Sequence, residues 1–198
     1  MSRGFGEPGR AWLALAALMA AASVLAWWLP AALLDWQPAL VLQQPWRAWT
    51  AITVHWSERH LLANLGAALA VAAFGWAARL PRRATLAWAL AWPLTHAGLL
   101  LQPALAHYGG LSGVLHAGVA VATLWLMVTA RGRARLIGLA AFVGMLVKLA
   151  SEEPWGPPLR TGTGFDIATA PLAHATGAAA GLLCAGLLLW GRPRQSPA

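Results

Sequence analysis

The stretch GGLSGVLHAGVAVATLWLMVTA, residues 109–130, joins a glycine-flanked serine to a long apolar run. Residues 112–130 are long enough to cross the hydrocarbon core of a bilayer, which takes about 20 apolar residues in a helix. Ser112 stands where this run begins, between Gly110 and Gly113. It can be a simple helix start, because serine is a preferred N-cap residue. It can also be a nucleophile, if a base lies close to it.

The rest of the chain is equally apolar. Of its 198 residues, 59% are hydrophobic and 10% are charged, which is too apolar for a soluble globular domain. We predict an all-α membrane protein in which residues 1–198 form a single six-helix domain. The predicted spans are 11–29, 60–78, 84–101, 112–130, 135–150 and 168–190.

Several features refine this prediction. The first run ends in Trp-Trp-Leu-Pro at 27–30, without a small-residue cleavage site, and is predicted to be a retained helix rather than a signal peptide. Pro93 is expected to kink the third span, and Lys148 is expected to extend outward from the end of the fifth span.

The connection 152–166 is rich in proline and glycine and is predicted to be a mobile loop. The long first loop, 30–59, is expected to lie in the membrane interface because it carries four tryptophans, namely Trp36, Trp46, Trp49 and Trp56.

The basic residues predict an orientation rather than a nucleic-acid partner. Of the fourteen Lys and Arg residues, ten fall on the side that holds both termini. The positive-inside rule then places both termini in the cytoplasm, and the second, fourth and sixth spans enter from the outer face. The other four basic residues are Arg47, Arg59, Lys148 and Arg160.

Two further polar stretches lie in the same predicted outer layer as Ser112. His174 lies near the start of the sixth span, with Gly177 and Gly181 following on its helix face. Small residues allow close approach of another backbone, which a hydrogen bond between a nucleophile and a base on different helices requires. His174 is therefore a candidate base, although such a histidine can also be an interhelical hydrogen-bonding residue.

His60 and Asn64 begin the second span and share a helix face. An imidazole or an amide can donate hydrogen bonds to a developing oxyanion, and the backbone N–H of Ser112 at a helix start could add another. Asn64 can equally make a structural hydrogen bond between helices.

A carboxylate partner for His174 is not expected. Every Asp and Glu lies in a loop or a tail, and Asp166 is about 12 Å from His174 along an extended helix. We therefore predict a Ser112–His174 dyad, with the imidazole oriented by packing or by a hydroxyl.

These motifs together resemble the rhomboid family of intramembrane serine proteases. The similarity covers the six-span core and lies in G-L-S-G at 110–113, A-H-x-x-G-x-x-x-G at 173–181, H-x-x-x-N at 60–64 and Trp46-Arg47. The resemblance implies that Ser112 is the nucleophile, His174 the base, and His60 with Asn64 the oxyanion side chains. It also implies a partly submerged first loop and a movable cap before the sixth span, around Phe165.

Within that family, the sequence SGVLH at 112–116 is similar to the rhombosortase branch. This similarity implies substrates with a transmembrane segment or a GlyGly-containing C-terminal sorting tail. It also implies a bacterial inner membrane, a site facing the periplasm, and no cofactor. His116, Gly110, Gly113 and Gly177 are candidates for substrate contact or for support of the site, and His116 can equally be a packing residue.

Two rivals remain. A metal or haem protein is conceivable because the chain has six histidines, but no H-E-x-x-H motif occurs and no acid lies within a predicted span. The metal candidates are His55, His60, His96, His107 and His116, of which His96 and His107 are assigned to loop or packing roles. A non-catalytic rhomboid-like chaperone or binding protein would have the same spans without needing the hydroxyl of Ser112.

Overall fold

A computed structural model describes residues 7–162, 164 and 166–190. In these residues the regular structure is helical, and the extended segments pair only in two isolated bridges, Trp36 with Tyr108 and Arg160 with Thr169. The helices are α1 Arg10–Leu25, α2 Arg47–Thr50, α3 Glu58–Ala77, α4 Arg82–Ala97, α5 Ser112–Thr129, α6 Gly132–Ser151 and α7 Pro171–Trp190.

Six helices of the described chain are long and apolar enough to cross a membrane. These are the six helices other than α2. The span that contains α1 continues through a 3₁₀ turn to Trp28, and the span that contains α4 continues through a 3₁₀ turn to Leu101. The prediction of six spans is confirmed, and by these criteria the chain is a multi-pass membrane protein. α7 begins at Pro171 rather than at residue 168, because proline suits the first turn of a helix and Thr169 just before it pairs with Arg160.

α5 is the central helix of the bundle. In its span 61% of the residues are buried, against 17% in the span of α6. It packs against α3, α4, α6 and α7, whereas most of α6 keeps an exposed apolar surface. The residue that begins α5, Ser112, is therefore surrounded by the ends of other helices.

α5 and α7 approach each other through small residues. A methyl group at Gly177 would overlap the carbonyl oxygen of Gly113, and one at Gly181 would overlap that of Ala117. The close approach predicted from these glycines is present, and it brings the first turns of α5 and α7 together.

The first loop is anchored by a buried ion pair. The guanidinium of Arg47 bonds the Asp35 carboxylate at 3.0 Å and the Asp35 carbonyl oxygen at 2.6 Å, and the other Asp35 oxygen contacts His107 at 2.6 Å. Of the four loop tryptophans, Trp36 is 1% exposed and packs in the interior, and its backbone pairs with Tyr108. The remaining three are about half exposed: Trp46, Trp49 and Trp56.

Candidate active site

Ser112 and His174 are in direct contact. Ser112 is the first residue of α5, with Leu111 at the N-cap, and its Oγ lies 2.9 Å from Nε2 of His174. His174 is the fourth residue of α7, closer to the helix start than the predicted span placed it. The hydroxyl is thus directed at an imidazole on another helix, which is more than a helix start requires.

The contact opens into a cavity of about 470 Å³. Ser112, His174, His60 and Asn64 all line this cavity, which we call the central cavity. The first turns of α3, α5 and α7 therefore meet at one point. Three polar segments that are far apart in the chain share one pocket.

The geometry of His60 favours a hydrogen-bond donor beside Gly110, at the lining of the central cavity. The backbone N–H of Trp56 donates to Nδ1 of His60 at 3.4 Å, so the proton of a neutral ring is on Nε2. That Nε2 is 2.9 Å from the position that a Cβ would occupy at Gly110. Gly110 has φ +133°, a conformation that other residues rarely adopt, so glycine both makes the turn and leaves room for the ring.

Asn64 lies one turn further along α3. Its amide Nδ2 donates to the carbonyl oxygen of His60 at 3.1 Å. A primary amide has two hydrogens, so this bond leaves a second one that could donate to a bound group.

The expectation of a dyad without a carboxylate is wrong. Glu152, the residue that follows α6, places Oε2 2.7 Å from Nδ1 of His174, opposite the nitrogen that contacts Ser112. The prediction failed because it measured distance along α7 alone, whereas the end of α6 lies beside the start of α7. A signal was available in the sequence, because Glu152 directly follows the fifth span on the same predicted side as His174.

Lys148 lies in the last turn of α6 and its side chain is about half exposed. Its Nζ reaches toward the helix end, where it lies 2.5 Å from Oε1 of Glu152 and 3.5 Å from Nδ1 of His174. Burial alone would raise the pKa of Glu152, but hydrogen bonds and charge from His174 and Lys148 outweigh burial and lower this pKa to about 2. The carboxylate is therefore ionised at neutral pH.

His116 stacks on His174. Their ring centroids are 4.3 Å apart with 19° between the planes, and Nδ1 of His116 contacts the Ser112 carbonyl oxygen at 2.8 Å. His116 also lines the central cavity. It therefore both packs against His174 and faces the central cavity.

Tyr108 is a site residue that sequence reasoning missed. It is buried, lines the central cavity and donates its hydroxyl to the Gly110 carbonyl oxygen at 3.3 Å. Burial raises the pKa of Tyr108 to about 12, so the phenol stays protonated. The only sequence signal for Tyr108 as a site residue was its position directly before Gly109 and Gly110.

The remaining candidates have structural contacts. Gly113 faces the Ala173 carbonyl oxygen and Gly177 packs on Gly113, so both glycines support the helix pair. His96 is buried, with Nδ1 2.6 Å from the Ala48 carbonyl oxygen, and packs as predicted.

In the described part of the chain, no three His, Cys, Asp or Glu side chains are grouped to hold a metal ion. The predicted cap residue Phe165 lies outside the described residues.

No model of a known protein family matches this sequence, and no curated protein matches it.

Proposed function

We propose that this protein is an intramembrane serine protease of the rhomboid type. The observation that carries the proposal is the 2.9 Å contact between Ser112 Oγ and His174 Nε2 at the edge of a cavity in a six-span bundle. A serine hydroxyl becomes a useful nucleophile when an adjacent base accepts its proton. A serine that serves only as a helix start has no need of an imidazole beside its hydroxyl.

In the proposed reaction, Ser112 Oγ attacks the scissile carbonyl carbon and its proton moves to Nε2 of His174. The tetrahedral intermediate collapses, the peptide C–N bond breaks, and the leaving amine takes the proton from Nε2. A water molecule then attacks the ester, passes its proton to His174, and releases the carboxylic acid as Ser112 regains its hydrogen.

Nε2–H of His60, the second amide hydrogen of Asn64 and the backbone N–H of Ser112 are the proposed donors to the oxyanion. The two side-chain donors lie near the start of α3, and the backbone N–H of Ser112 has no intrahelical acceptor because it is in the first turn of α5. Donors held in place before the reaction stabilise the charge without reorganisation.

Replacing Asn64 by alanine is expected to lower kcat about 10²- to 10³-fold with a smaller change in KM, because the lost donor acts on the transition state. Steady-state kinetics on a reconstituted substrate would measure this. Asn64→Asp, which keeps the shape and removes the donor, should be no better. Wild-type kinetics in both variants would remove Asn64 from the oxyanion role.

The proposed substrates are membrane proteins cleaved near the outer face, and by similarity to rhombosortases they carry a GlyGly-containing C-terminal tail.

The proposed location is a bacterial inner membrane. Both termini are proposed to lie in the cytoplasm, because ten of the fourteen basic residues are on the side of the termini. Leu159 and Ile167, in the connection between α6 and α7, line the central cavity, and these two residues are proposed to move when a substrate enters.

A fluorophosphonate probe tests the proposal. The purified protein in detergent should be labelled, and mass spectrometry of the modified peptide should locate the adduct on Ser112. Labelling should be lost in Ser112→Ala and in His174→Ala while both variants keep the helical content of the wild type. A folded wild-type protein that is not labelled, or a Ser112→Ala variant that still is, would instead favour a non-catalytic membrane chaperone or binding protein.

A further inference from the structure

Glu152, His174 and Ser112 form a continuous hydrogen-bonded series. The carboxylate oxygen Oε2 contacts Nδ1 of His174 at 2.7 Å, and Nε2 of the same ring contacts Ser112 Oγ at 2.9 Å. We infer that Glu152 is a positioning residue of the proposed reaction, in which it fixes the tautomer and orientation of His174 and stabilises the imidazolium. This inference rests on the proposed function of Ser112 and His174.

The tautomer follows from the partners of the ring. An ionised carboxylate only accepts hydrogen bonds, so Nδ1 of His174 must carry the proton. Nε2 then presents its lone pair to the Ser112 hydroxyl, as a general base requires. During the reaction the proton of Ser112 goes to Nε2, the Nδ1 proton stays on the ring, and Glu152 remains a carboxylate.

Glu152 is itself held at two points, one on its side chain and one on its backbone. Lys148 binds the oxygen that does not face His174, at 2.5 Å, and Arg160 donates to the Glu152 carbonyl oxygen at 2.8 Å. The side chain of Glu152 is 27% exposed and that of His174 is 12% exposed, so the pair is only partly screened by solvent. With a pKa of about 2, Glu152 keeps its charge as pH falls well below neutrality and loses it only when pH approaches 2.

The ionised state of Glu152 also bears on stability. The folded-state pKa lies below the ordinary value of 4.5, so this group stabilises the folded chain above that value and loses the contribution as pH falls toward 2. An acid limb of activity above pH 5 would therefore not report titration of Glu152.

His116 cannot replace Glu152 in this role. It stacks on the face of His174 and contacts the Ser112 carbonyl oxygen, so it limits the tilt of the ring without bonding Nδ1. Lys148 is 3.5 Å from Nδ1 but is a donor when charged, and it cannot accept the Nδ1 proton. In the described structure the acceptor bonded to Nδ1 is Glu152.

The adjacent residue provides a matched control. Glu153 has the same side chain and pairs with Arg160 at 2.9 Å, in the same turn after α6. Glu153→Gln removes one charge and weakens the pair with Arg160 without touching His174. Glu152→Gln removes one charge and leaves an amide that can either accept from Nδ1 or donate to it.

The experiment compares Glu152→Gln, Glu152→Asp and Glu153→Gln in the full chain in detergent, with Ser112→Ala as reference. The rate of fluorophosphonate labelling should fall about 10²- to 10⁴-fold in Glu152→Gln, because the wrong tautomer of His174 cannot accept the proton. Glu152→Asp should recover part of the rate, and Glu153→Gln should stay within a few-fold of wild type.

A second readout does not depend on turnover. In ¹⁵N-histidine spectra, the signals of His174, assigned by their loss in His174→Ala, should show a protonated Nδ1 in the wild type and in Glu153→Gln. In Glu152→Gln they should show a mixture of tautomers.

Equal labelling rates in Glu152→Gln and wild type, equal losses in Glu152→Gln and Glu153→Gln, or unchanged His174 signals would each overturn the inference while leaving the serine reaction in place. If Glu152→Gln fails to fold, the His174 signals and labelling rate of Glu152→Asp decide the question. Labelling that survives Ser112→Ala would remove the proposed function, and this inference with it.

Discussion

Replacing Ser112 by alanine is expected to abolish cleavage, with a fall in kcat of about 10⁶-fold, while the six-helix bundle stays folded. The effect is large because no covalent intermediate can form without the hydroxyl, and His174 then has no proton to accept. The change removes one oxygen at the edge of the central cavity, so the core packing of α5 is not altered. Cleavage of a reconstituted membrane substrate, measured beside the thermal unfolding of each variant, would test this.

Ser151→Ala is the control for this experiment. Its hydroxyl donates to the Lys148 carbonyl oxygen at 2.7 Å, within its own helix. Activity near that of the wild type is expected. Cleavage that persists in Ser112→Ala would show that another group carries the reaction.

Replacing Gly177 by valine is expected to prevent the correct packing of α5 on α7, at a cost of about 3 kcal/mol or more. The reason is steric, since even a methyl group at this position would overlap the Gly113 carbonyl oxygen. Gly177→Ala should cost about 1–3 kcal/mol and move the two helices apart. Because a displacement of about 1 Å can cost about 10²-fold in rate, labelling of Ser112 should fall in Gly177→Ala even where the protein folds.

Gly186→Ala, on the same helix, is the matched control. A Cβ at Gly186 meets no atom within 4 Å, so this variant should be as stable as the wild type or up to about 1 kcal/mol more stable. Unfolding temperatures in detergent and labelling rates measure both effects. If Gly177→Ala behaves like Gly186→Ala, the close approach of α5 and α7 does not support the site.

Much of the bundle could be predicted because hydropathy acts locally along the chain. Each apolar run is long enough to cross a bilayer, and each of the six became a helix. Residue type alone did not indicate that Trp36 is buried, because its place in the interior depends on contacts with residues far away in the chain, such as Tyr108.

The candidate site was predictable in composition but not in arrangement. Ser112, His174 and His60 could be placed in one layer, since each begins a helix that enters from the same predicted side. Glu152 could not be selected from distances along α7, because its proximity to His174 depends on how the end of α6 meets the start of α7.

The amino-acid sequence by itself determined the number of spans, the polar residues at their starts and the glycines that permit close packing, because these depend on local hydropathy and side-chain size. Only the tertiary structure decided that Ser112 and His174 touch, that Glu152 bonds the far side of the imidazole, and that His116 stacks on it. Those contacts depend on the angles and separations between helices, which are set by the packing of the whole bundle.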